Sequence, residues 1–433
     1  MGINVKEKLH LNVYQKFAVV QLKITALIVS RRVAFLFCSY LIPVLKDVFD
    51  DSETMNMLNL NKSLVKDIMT YVFVPAHEER LLRILKTQRF AVVVDESSDR
   101  SLLSGLCIVV LYFDPDLNRL NDAIWDFVCV YDTERSLANA EQLFEKLIHS
   151  FMDKGVPITH LICFAADSCN LMHGVRCSIS AKLVKILQHL LVVKCNCHIQ
   201  HLCAKDAIAH DEFNCEKLAK DISNYFSSSP KRLNSFLNLE KKVNIDQLRI
   251  LTLSLTRWLS LWLNLIRILS RWTVLKLFFR AEKNDVAEKI ADLLYNELAH
   301  LNCIFVEFIL KKFCIVNQIF QSRKPFVSRS NHHVVKLMSE LLKLYMNDDY
   351  VDNTELAEID PENINEMKIK SEIDIGENAE NFMKSFDFSA EEKNEFYSNC
   401  QGILITAVCN FKNVLSLMMI GFTAKNFFTQ QMH

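Results

Sequence analysis

RFAVVVDESSDRS, residues 89–101, decides how this chain is read. Phe90–Val94 is a short apolar, β-branched run, too short for a buried helix and closed by Asp95 and a polar loop, so it reads as a buried strand. LCIVVLYFD, residues 106–114, follows as a second strand, broken by Asp114, Pro115 and Asp116. Residues 123–130, AIWDFVCV, make a third. Upstream, residues 5–89 carry apolar positions at three- and four-residue spacing and no strand alternation, which predicts helices.

Downstream, residues 138–152 repeat apolar positions at helical spacing and stop at Lys154-Gly155, a common helix end. A fourth strand is expected at 158–165, running into Asp167, then a helix at 180–191 and a fifth strand at 192–195. Three strands with short connections form an antiparallel meander, whereas a strand reached through a helix normally lies parallel to its partner. If the fourth strand pairs with the first, Asp95 and Asp167 meet at one sheet edge although 72 positions separate them. This order of elements is the ribonuclease H topology. The expected fold class is therefore α/β: an RNase H-like core with a mixed five-stranded sheet, an N-terminal helical region and a large all-α insertion. Segment by segment, the reading is a helical region at 1–89, the core at 90–212, helical insertion at 213–346, an acidic linker at 347–384 and a C-terminal helical remnant at 385–433.

Composition agrees with a folded, helix-rich chain. Half of the 433 residues are apolar, enough for a sizeable core, and Gly and Pro number seven each, few for an all-β protein. The fourteen cysteines lack paired spacing and nothing at the start resembles a secretory leader, so free thiols in a reducing compartment are expected, not secretion. Two apolar stretches, 33–45 and 402–422, read as buried helices and not as membrane spans: the first is short and contains Pro43, and the second carries Lys412, which costs roughly 2.5–3.5 kcal/mol at mid-bilayer. Net charge is −1, but residues 348–380 contribute −10, leaving +9 on the remainder. That remainder is basic enough to permit a phosphate-facing surface.

Four motifs carry candidate chemistry. VVVDESSD (92–99) and FAADSCNLMHG (164–174) each deliver an Asp at the end of an apolar strand; an ordinary strand-ending turn is the plain alternative. Together, Asp95 and Asp167 suit phosphoryl transfer, where paired carboxylates hold two divalent ions about 3.5–4 Å apart. A third carboxylate is needed to complete such a clamp, and none is evident by context. KCNCHIQHLCAKDA (194–207) gathers Cys195, Cys197, His198, His201 and Cys203. Its spacing differs from the usual zinc pairs, so zinc is not expected; ordinary burial and a site-flanking role for His198 both stay open. In TRWLSLW (256–262), Arg257 beside Trp258 could bind a phosphate and stack on an unpaired base, or the Trp could simply pack in a helical core.

These blocks, with YFSSSPKR (225–232), in this order and with these gaps, resemble animal transposases of the hAT superfamily and their host-derived relatives, the type associated with BED zinc fingers and SCAN domains. The resemblance spans residues 73–279, and more weakly 386–408 (FDFSAEEKNEFYSNCQGILITAV). It implies a DDE triad on an RNase H-like fold with a helical domain inserted before the third acid. Asp95 and Asp167 would be the first two metal-binding acids, with Mg²⁺ or Mn²⁺ weakly held. Cys195 and His198 would match the family's C-x2-H motif, and Arg257 and Trp258 its DNA-contacting RW pair, with His198 also near DNA.

Departures matter as much. No zinc-finger spacing precedes Asp95, and no Trp follows Trp272 to mark the family's third Glu and dimerisation segment. The expectation is a transposase-derived, truncated, domesticated or decayed protein with an incomplete triad, inactive in transposition and retaining nucleic-acid binding. Two alternatives stand beside it: a protein-interaction scaffold without DNA or metal, and a metal-dependent nuclease completed by Glu391, Glu392 or Glu395. DNA and protein are the expected partners, a membrane is not, and the resemblance implies a nuclear location. Oligomeric state is left open.

Overall fold

The computed structural model describes residues 12–98, 104–129, 139–247, 259–321 and 327–422. The chain is α/β, with a five-stranded mixed sheet and many helices. Its strands are β1 (Phe90–Ser98), β2 (Ser104–Asp114), β3 (Arg119–Cys129), β4 (Leu161–Ala166) and β5 (Leu191–Lys194), in the order β3-β2-β1-β4-β5. The chain divides into two compact units, one made of Met1–Cys163 with Leu187–Leu190 and the other of Phe164–Ile186 with Leu191–His433.

In the first unit, β1, β2 and β3 form the expected antiparallel meander. Alternation sorts their faces. Phe90, Val92 and Val94 on β1, the even-numbered positions 106–112 on β2, and Ala123 and Trp125 on β3 are all buried. They lie under the helix Ala140–Met152: Phe151 stacks on Trp125 at 4.6 Å and on Phe90 at 5.2 Å, and the Trp125 Nε1–H donates to Ser150 Oγ at 3.0 Å. One bulge between Ile108 and Val109 shifts the register after Trp125, so that Phe127 pairs with Cys107 and is exposed. Beyond β2, Arg80 closes the hairpin by reaching the fully buried Asp114 carboxylate at 2.6 Å and Asp116 at 2.9 Å. Contrary to the expectation from the sequence, Asp95 does not end its strand. β1 continues through Ser98 because backbone pairing with β2 carries on, and Asp95 sits opposite Cys107.

Residues 12–85 are helical, as expected, and enclose a small core around Ile28, Cys38, Ile42, Leu58 and Val65. Among the described residues one helix, Val13–Ser30, is long and apolar enough to cross a membrane by length and composition alone, with a mean hydropathy of 1.2. The apolar stretch at 402–422 instead belongs to the helix Ala390–Phe422, whose Cys400, Ile403, Leu404, Ala407, Val408 and Phe411 are buried.

In the second unit one continuous apolar cluster runs from Ile199 to Phe411. It therefore joins ranges read above as core, insertion, linker and remnant. The acidic segment 347–384 is not a solvated linker: Val351, Ile359, Ile373, Ile375 and Ala379 are buried in that cluster. Its charges are also partly paired, Asp352 with Lys343 at 2.6 Å and Asp348 with Lys368 at 2.9 Å. Within the range read as helical insertion, the helical runs 259–281 and 285–320 are each broken once. Arg271 separates Leu259–Ser270 from Trp272–Ala281, and Asn296 caps Glu297–Phe320 by accepting from the Leu298 and Ala299 N–H groups.

Candidate functional site

Asp95 lies on β1 in the first unit, on the face opposite Phe90, Val92 and Val94, and it is exposed. Strand alternation explains this: the parity that buries Val94 turns Asp95 outward.

Asp167 belongs to the second unit and directly follows β4. Its Oδ1 accepts the Cys169 N–H at 3.3 Å, a local turn that sends the chain into the short helix Asn170–His173. Burial and the hydrogen bond to Asp167 push the Cys169 thiol up to about 11. His173 ends that helix with its ring 6.0 Å from Phe164. Burial first, and then the positive charge of Lys194, lower the His173 pKa. Its Nε2 is buried without a hydrogen-bond partner, as are Ser168 Oγ and both polar atoms of the Gln200 amide.

The Cys195 N–H donates to the Ala166 carbonyl at 2.8 Å, which ties the residue after β5 to the end of β4. Cys195 then serves as N-cap of the helix Asn196–Ile208, which carries the rest of the Cys/His block. Ile199, Cys203, Ala204 and Ala207 turn into the apolar cluster, and His198 stays half-buried. The Cys197 thiol is held far above its ordinary value, first by its hydrogen bond with Cys195 and then by burial. His201 is pulled down to about 3, by burial first and then by His198 and Lys205, so it is neutral at pH 7. From the far side, Asn317 Nδ2–H donates to the Cys197 carbonyl at 3.4 Å, and Gln321 Nε2–H donates to Asn317 Oδ1 at 2.7 Å.

Within its own unit Asp167 thus stands with a protonated thiol, a neutral imidazole and a lysine. Hard divalent ions take oxygen ligands, so this neighbourhood does not by itself make a Mg²⁺ site. Among the described residues, no three of His, Cys, Asp and Glu come together as a metal set. Of the three acids offered as a third ligand, Glu392 is engaged elsewhere. Its Oε2 accepts from the Ser389 N–H at 2.8 Å and hydroxyl at 2.9 Å, while its own N–H donates to Ser389 Oγ at 3.1 Å. That reciprocal cap lowers the Glu392 pKa and starts the helix Ala390–Phe422. Glu391 and Glu395 are exposed on the first turns of the same helix.

Arg257 and Trp258 lie outside the described residues. Nearby Trp262 is partly buried and donates its indole N–H to Glu307 at 2.7 Å. Lys231 is exposed, whereas Arg232 lies over the Tyr225 ring at 4.2 Å. His173 and Lys194 were missed as neighbours of Asp167. Both stand inside the quoted motifs, but only the closing of β4 and β5 shows that they share its surroundings. No family model matches the chain.

Proposed function

We propose that this chain carries the RNase H-like core of a hAT-type transposase, that Asp95 and Asp167 form its remaining carboxylate pair, and that it binds DNA without cutting it. The observation that carries the reading is the strand order β3-β2-β1-β4-β5, which sets β1, bearing Asp95, beside β4, which Asp167 follows. The ordered motifs from residue 89 to 262 support it on the sequence side. Glu392 is committed to a helix cap, and a two-ion clamp with only two carboxylates is incomplete. In this reading Lys194 attracts the phosphate backbone, while Arg257 and Trp258 contact a distorted DNA end. Neutral His173 and His201 add no charge. Mg²⁺ or Mn²⁺, if bound, would be held by Asp95 and Asp167 and would neutralise phosphate charge there.

Binding of a fluorescent duplex, followed by anisotropy at rising salt, tests the reading. Each phosphate contact releases counterions, so affinity should fall steeply, by about 0.9 in log K per contact for each tenfold rise in salt. Affinity absent at low salt, or flat with salt, would defeat the DNA-binding part.

One observation favours a second reading, an interaction scaffold. The uncovered sheet face in the first unit exposes Leu111, Phe113, Leu120, Ile124 and Phe127 together. Phe127 lies across Gly105 so closely that no Cβ fits there, which leaves this apolar surface continuous. Contiguous apolar patches of this kind mark protein contacts.

A further inference from the structure

Within the first unit, the helix Cys38–Val48 buries Cys38 and Ile42 and turns the opposite face outward. That outward face is apolar. Phe37, Tyr40, Val44 and Val48, spaced three, four and four residues apart, form one stripe and are 45–68% exposed. From Tyr40 to Val48 the stripe rises about 12 Å, a little over two turns. Charge is distributed unevenly about it. Arg31 and Arg32 precede the helix, whereas Asp47, Asp50 and Asp51 cluster at its end against only Lys46. Asp47 lies in the last turn, where the dipole of the helix itself disfavours a carboxylate.

An apolar stripe with a positive end and a negative end is complementary to itself when one copy is turned antiparallel to the other. A two-fold axis through the stripe brings the arginines of one copy to the aspartates of the other, and self-complementarity of this kind is what an isologous interface requires. A lipid surface fits less well, since anionic headgroups would repel the three carboxylates. We propose that the helix Cys38–Val48 docks antiparallel on the same helix of a second copy of this chain, making a homodimer.

Sedimentation equilibrium of the full chain, 50.2 kDa per copy, reads this directly. The expected result is a mass approaching twice that value as concentration rises. Val44→Glu places a carboxylate at the axis and should weaken dimerisation roughly tenfold or more, with an unchanged circular dichroism spectrum because Val44 is exposed. Arg31→Glu with Arg32→Glu should also weaken it, and adding Asp47→Lys, Asp50→Lys and Asp51→Lys should restore it by exchanging the two ends. A monomer at all concentrations, a dimer indifferent to Val44→Glu, or a monomer that binds phosphatidylserine vesicles through Tyr40 and Val44 would each overturn the proposal.

Discussion

Removing Arg271 should destabilise the helical unit strongly. Its Nε–H donates to Glu240 Oε1 at 2.8 Å, its Nη2–H to the Asp246 carbonyl at 2.9 Å and its Nη1–H to the Ser270 carbonyl at 3.2 Å. The Glu240 side chain is fully buried and that of Arg271 is 10% exposed. Arg271→Ala therefore removes a charged partner from a buried carboxylate, and breaking a buried pair from one side costs about 3–5 kcal/mol. Glu240→Gln is the informative contrast. It keeps an acceptor for Arg271, and Arg271 retains its two carbonyl partners, so the loss should be smaller, about 1.5–3 kcal/mol, the value of one charge-assisted hydrogen bond. Arg271→Met combined with Glu240→Leu removes both charges and should recover most of the loss. Urea denaturation followed by circular dichroism measures all three. Equal losses in Arg271→Ala and Glu240→Gln, or no recovery in the double variant, would refute the buried-pair reasoning.

Other expectations follow from individual groups. His300 stacks on Trp272 at 4.0 Å, and burial, then Lys276, pull its pKa down to about 4, below the ordinary value near 6.5. The unfolded chain then binds the extra proton first, so the helical unit should lose stability as pH falls from about 6.5 to about 4, a slope that His300→Phe should reduce in acid-titrated thermal melts. Asp114 is shifted the other way in physical origin: the Arg80 guanidinium holds its carboxyl below the usual range, helped by the Leu117 and Asp116 N–H groups. Its contribution is present above the unfolded value near 3.9 and is lost as pH falls through the depressed folded value, so Asp114→Asn should flatten acid unfolding of the first unit below about pH 4. Asp167→Asn should leave thermal stability within about 1 kcal/mol, since that carboxylate accepts from the Cys169 N–H at 3.3 Å and from the Cys169 thiol, both within its own turn; a larger loss would make it structural.

Much of the sheet was legible because its strands are dense in Val, Ile and Phe and are closed by polar turns. Ser97 and Ser98 were not assigned to β1, because backbone pairing extends a strand whatever the side chains are. Apolar positions at helical spacing continue past Arg271 and Asn296, although each marks a break between helices: one pairs across to Glu240, and the other is a cap inside an apolar run. Ile359, Ile373 and Ile375 went unnoticed as core because they are spaced without period among carboxylates. At the site, Asp167 was visible as an Asp ending a strand. Its neighbours His173 and Lys194 come from a short helix and from β5, and their effect on one another depends on burial, which spacing does not encode.

The central claim is that Asp95 and Asp167 act as one carboxylate pair on an RNase H-like sheet, and isothermal titration of Mn²⁺ into the wild type, Asp95→Asn, Asp167→Asn and the double variant tests it most directly. The account predicts weak binding by the wild type, lost in either single variant and lost no further in the double, because two ligands of one ion are not additive. Binding that survives intact in either single variant would contradict it.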